Sequence, residues 1–110
     1  TNAITAFAGG GQTNAVLLTS SFNRITVVGT ANDSVKLPLC QAGGGPGLSN
    51  SIGVQIMVSN ADSTDSLDVF PGVGDTINPS AQNAKFAVAA GKTAMFVCAV
   101  AGIWSSMLGA

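Results

Sequence analysis

The chain contains no histidine, no glutamate and no tyrosine, and its 110 residues carry only four cationic side chains and five aspartates. Without histidine, Ser-His-Asp and Cys-His catalysis and histidine-ligated zinc are excluded as ordinarily built. The remaining acid–base inventory is that of a non-catalytic protein, so neither catalytic, cofactor-binding nor metal-binding residues are expected. Charged residues make up 8% of the chain and the net charge is −1. That balance offers no basic patch able to release counterions from a phosphate backbone, which excludes nucleic acid as a partner. The longest apolar run, Met95 to Ile103, is interrupted by small residues and is far shorter than the ~18 residues of a membrane-spanning helix. No membrane partner is expected, and no basic and apolar leader pattern opens the chain. Aromatics are 5% and long runs of any kind are missing, so the core must be thin and built from Val, Ile, Leu and five Phe.

Uncharged polar residues fill the space that charge leaves. Ser, Thr, Asn and Gln number 32. Burying a Thr or Asn at an interface requires only a hydrogen bond, whereas a Lys or Asp requires pairing or a large desolvation cost. Such a surface suits permanent assembly. The length fits one domain, residues 1–110. Cys40 and Cys98 are too few for a disulfide framework and are expected as reduced, buried thiols, with a single bridge as the other option.

Apolar residues alternate with period two in short runs bounded by Gly, Pro, Asn, Asp or Ser, which predicts strands. The runs are Ile4–Ala8, Ala15–Thr19, Arg24–Gly29, Ser34–Leu37, Val54–Ser59, Leu67–Phe70, Lys85–Ala89, Thr93–Val100 and Ile103–Met107. In the central run Val54, Ile56 and Val58 face one way and Gln55, Met57 and Ser59 the other. Ala90-Gly91 and Ala101-Gly102 have the spacing of tight hairpins and predict a C-terminal meander. The seven alanines from Ala84 to Ala101 allow a competing helix, which Gly91, Thr93, Val97 and Val100 argue against. The expected fold is all-β, an antiparallel sandwich of jelly-roll type.

Several short patterns suggest chemistry and fail on inspection. Gly91-Lys92-Thr93 ends like a phosphate loop, but Phe86 stands where its first glycine is needed. Gly9-Gly10-Gly11 lacks dinucleotide-loop spacing and a following helix. Asp62, Asp65 and Asp68 could offer oxygens to calcium, yet without the EF-hand pattern they read as a solvated acidic turn. Asn32-Asp33-Ser34 is a formal glycosylation sequon and reads as a turn. Trp104, the lone indole, is either a core residue closing the last hairpin or an exposed stacking platform or interface anchor.

Three stretches in order, ITAFAGGGQTNAVLLTSSFNRITVVGTANDSVKLP, SLDVFPGVGDTIN and KFAVAAGKTAMFVCAVAGIWSS, together resemble capsid decoration, or cement, proteins of tailed bacteriophages. The resemblance implies a jelly-roll-like domain on the outer surface of the virion, assembled in the host cytoplasm. It implies bridging of neighbouring major capsid proteins, with self-association as a dimer or trimer, and no cofactor. Two elements are the expected contact surface. One is a contact arm, residues 1–12, with Ile4, Phe7, Gly9, Gly10, Gly11 and Gln12. The other is the glycine-rich loop Gly43–Ser51 with Gly45, Pro46 and Leu48. The competing reading is a receptor- or glycan-binding domain of a phage fibre or tail protein, and a weaker one is a secreted carbohydrate-binding sandwich. The scarcity of aromatics disfavours both glycan-binding readings.

Overall fold

A computed structural model describes residues 3–8, 10–18, 21–30, 32–40, 49–50, 53–77, 81–100 and 102–108. These residues form strands and turns, and no helix among them is long and apolar enough to cross a membrane. The protein is all-β, and within the stretch considered for a helix the described residues form the strands Phe86–Val88 and Thr93–Val100.

The chain winds between two sheets. β1 (Ile4–Thr5) lies in the first sheet, β2 (Val16–Leu17) in the second, β3 (Phe22–Val27) in the first and β4 (Ser34–Lys36) in the second. After a small parallel pair, β5 (Leu39–Cys40) and β6 (Ser49–Asn50), the alternation resumes with β7 (Gln55–Asn60) and β8 (Leu67–Phe70). β9 (Thr76–Ile77) returns to the far edge of the first sheet, β10 (Phe86–Val88) joins the second, and β11 (Thr93–Val100) and β12 (Ile103–Leu108) complete the first. The first sheet, curled into a half-barrel, has the order β1-β3-β7-β11-β12-β9, and the second has β10-β8-β4-β2.

This winding explains the strand directions. Each return to a sheet follows an excursion to the other, so successive strands of one sheet run the same way. β1, β3 and β7 are therefore parallel neighbours, as are β2, β4 and β8. β10 and β11 reverse direction and pair antiparallel with β8 and β7. The expected antiparallel pairing is thus corrected to mixed sheets. The C-terminal meander is corrected in the same way: Ala90-Gly91 carries the chain from one sheet to the other, because Phe86 and Val88 pair with β8 whereas Thr93 to Val97 pair with β7. β11 and β12 do pair as a hairpin, with Val100 opposite Ile103, and Gly102 has the positive φ of 82° suited to such a turn. Alternation in a sequence reports that one face is buried; it does not report whether the next turn folds back beside the strand or crosses the core.

The core lies between the sheets. Ile25, Ile56, Val58, Phe96 and Trp104 enter from the six-stranded side, and Val35, Leu67, Val69 and Val88 from the four-stranded side. Burying each such side chain is worth roughly 1.5–3 kcal/mol, offset by the entropy of ordering it. Phe86 packs edge-to-face on Phe96, with ring centroids 5.5 Å apart. Trp104 has no exposed surface and is a core residue.

The expectation of reduced thiols is overturned. Cys40 on β5 and Cys98 on β11 form a disulfide, with Cα atoms 5.4 Å apart. The backbone places them together. The Cys40 carbonyl accepts a hydrogen bond from the Gly102 N–H at 2.7 Å, which holds β5 against the β11–β12 hairpin. A separation of 58 residues leaves no local signal of this pairing in the sequence.

Candidate functional site

The expected N-terminal contact residues are stitched into the fold. Ile4 packs against the core, and Phe7 forms a two-way backbone bridge with Ser34. A Cβ on Gly10 would lie 2.6 Å from the Asn32 carbonyl oxygen, so that glycine permits close backbone approach. Gly11 is exposed and its carbonyl accepts the Ser34 hydroxyl, while the Gln12 amide donates to the Pro71 carbonyl and to Asn83 Oδ1 at 2.8 and 3.0 Å. Gly9, Gly45, Pro46 and Leu48 lie outside the described residues.

The acidic residues serve the fold. The Asp62 carboxylate accepts N–H bonds from Asp65 and Thr64, which hold its pKa below the usual value, led by the Asp65 contact. Asp68 pairs with Lys85 at 3.2 Å, and Asp33 closes the turn by accepting from Thr30. Among the described residues no three potential ligands are grouped to hold a metal ion.

Asp75 is buried, like Asp33 and Asp68. Its Oδ2 accepts the Cys40 N–H at 2.8 Å, beside the disulfide. Burial pushes its pKa up, against the opposing effects of the Cys40 N–H and of the Trp104 indole, which faces it outside good hydrogen-bond geometry. A carboxyl that holds its proton more tightly when folded than when unfolded favours folding most below its ordinary pKa of 3.8; that contribution is lost as pH rises through the folded value. Asp75→Asn removes the titration. The melting-temperature difference, wild type minus variant, is therefore expected to fall between about pH 3 and pH 7. Thermal melts across that range check it, and a constant difference contradicts it.

The surface feature that the fold creates lies on the outer face of the six-stranded sheet. Along β3, β7, β11 and β12 the inward positions are taken by Ile25, Ile56, Val58, Phe96, Cys98 and Trp104, so the alternate positions face out. Register then aligns Phe22 with Met57, Met57 with Met95, and Met95 with Met107. All three methionines of the chain thus stand in one row on three adjacent strands, and Phe22 extends it to a fourth. The row is about 14 Å long at the usual strand spacing. Phe22, Met57 and Met107 are 43, 39 and 63% exposed, which is costly for apolar groups left in water. Met57, Met95, Met107 and Thr93 enclose a shallow apolar depression of about 230 Å³.

One flanking row is polar, Arg24, Ser59 and Thr93, with Thr93 Oγ1 donating to Ser59 Oγ at 3.1 Å; the other, Gln55, Val97 and Ser105, is mixed, with Val97 between two polar residues. Arg24 is the one charged residue in these four strands, and none of them contains an acid. Sequence reading placed Met57 outward but could not see the row, because period-two alternation carries no inter-strand register. The available signal was that Met57, Met95 and Met107 occupy the outward phase of their strands.

A second apolar depression, about 250 Å³, is carried by the other side of the molecule, where Leu17, Lys36, Leu37, Leu39 and Val73 surround Gly72. It is the larger of the two, but Lys36 turns its ammonium to the Thr13 carbonyl and Leu37 belongs to the core. The methionine row, built wholly of outward side chains, is the better candidate contact site. Comparison with known proteins found no matching family model, no matching curated protein and no matching solved structure.

Proposed function

We propose that this chain is a non-enzymatic assembly protein that decorates the outside of a bacteriophage capsid and stabilises it by bridging neighbouring major capsid proteins. The observation that carries the reading is the uncharged apolar row Phe22–Met57–Met95–Met107 on an open sheet face. Exposed, contiguous apolar side chains rimmed by polar ones mark protein contact surfaces, and methionine adapts its shape to what it meets. Bridging needs two contact surfaces, and the second depression, lined by Leu17, Leu39 and Val73, supplies another. The two-sheet envelope is read as a β-sandwich of jelly-roll-like outline built from mixed sheets. The resemblance to cement proteins selects the phage shell among protein partners, with nucleic acid and membrane outside the reading. Burial of Trp104 removes the one indole from glycan stacking, which supports cement over the fibre alternative.

Two weak contacts joined in one rigid body bind an assembled shell more tightly than isolated subunits, because the second contact forms intramolecularly. Self-association as a dimer or trimer adds to that valency. Assembly takes place in the host cytoplasm, and the Cys40–Cys98 bridge closes in the oxidising medium that released particles meet. Packaged particles stripped of the protein are expected to release DNA at a lower temperature than particles that carry it. A fluorescent DNA-release melt measures this, and coincident curves contradict the cement function.

A further inference from the structure

The outer face of the six-stranded sheet also specifies what kind of segment covers it. The sheet is curled round its core, so this face is convex. Two convex faces meet along a narrow strip, and a second copy would bury far less than the roughly 800 Å² per partner of a standard interface. A narrower occupant fits better. The depression among Met57, Thr93, Met95 and Met107 holds about 230 Å³, enough to admit an apolar side chain. Two strands away on the same face stands Arg24, exposed and with no carboxylate within ion-pair distance among the described residues. The strand spacing puts it roughly 10 Å from the depression. No acid within these four strands competes for that guanidinium.

We propose that the face is occupied by a protein segment that seats one apolar side chain among Met57, Met95 and Met107 and sets a carboxylate opposite Arg24. The apolar contact supplies the affinity, since it removes the methionine surfaces from water. The carboxylate supplies selection and orientation: a basic segment meets Arg24 with like charge, whereas an acidic one meets a planar donor able to hold it in two hydrogen bonds. This deepens the capsid reading and rests on it only for the identity of the partner.

The chain offers its own reporter. Labelling with methyl-¹³C methionine yields three signals, all from the site. Two synthetic peptides with the same leucine spacing, one bearing aspartates and the other lysines at the intervening positions, are the probes, and empty shells form a separate arm. The acidic peptide is expected to shift the methionine signals saturably and to bind about two- to fivefold more tightly than the basic one, the range of an exposed charge pair. Arg24→Glu is expected to abolish that preference and Arg24→Lys to keep part of it. Equal affinity for the two peptides overturns the charge assignment. Methionine signals unmoved by either peptide, or unmoved while shells bind, overturn the docking site and leave the capsid reading standing. Peptide binding at the methionines with no binding to shells supports the site and sinks the capsid reading instead.

Discussion

Replacing both cysteines, Cys40→Ser with Cys98→Ser, is expected to lower folding stability by about 4 kcal/mol. The figure follows from the 58-residue separation of the bridge, whose closure removes that much entropy from the unfolded chain in the loop-closure treatment. For a domain of this length the melting temperature falls by on the order of 15–20 °C. The effect is large because the core is thin, and because the bridge ties the small β5–β6 pair to the six-stranded sheet. Both cysteines have no exposed surface, so reductant alone is expected to act slowly in the folded state and quickly once the protein is partly unfolded. Alkylation in denaturant without reductant reads the bond directly and is expected to label neither cysteine. Two labelled thiols, or identical melting of the double variant and the parent, contradict the pairing.

How much of this was legible in the sequence depends on the range of the physics involved. Leu67–Phe70 and Thr93–Val100 were readable to the residue, because each is long enough for alternation to show and is closed by turn residues. Val54–Ser59 was readable with its face, and the strand itself sits one residue further on, at Gln55–Asn60. The strands Leu39–Cys40, Ser49–Asn50 and Thr76–Ile77 were missed, since two residues carry no periodicity and owe their strand state to partners elsewhere in the chain. Non-local facts were illegible altogether. The direction of β3 against β7, the meeting of Cys40 with Cys98, and the alignment of Met57 with Met95 and Met107 all follow from the winding. Gly10 and Gln12, read from the sequence as part of a contact arm, also make close contacts within the fold, and no local pattern in the glycine segment states this. For Trp104 the short run IWSSM does not state which sheet covers it.

The central claim is that this protein works by contact, through the outer face of its larger sheet. Met57→Glu with Met107→Glu tests it most directly. Both side chains are exposed, so their replacement leaves the core untouched and the melting temperature close to that of the parent. In a contact, however, the carboxylate introduced at position 107 must be buried without a partner, because Arg24 stands three strands away, and the one at position 57 must be buried in the middle of the apolar row. Co-sedimentation with empty capsid shells is the measurement, with Asn14→Glu, exposed and outside the row, as the control for added charge. The double variant is expected to lose about 100-fold or more in affinity, corresponding to roughly 2.7 kcal/mol, while the control binds like the parent. Undiminished co-sedimentation of a folded double variant would contradict the assignment of the methionine row as the contact surface.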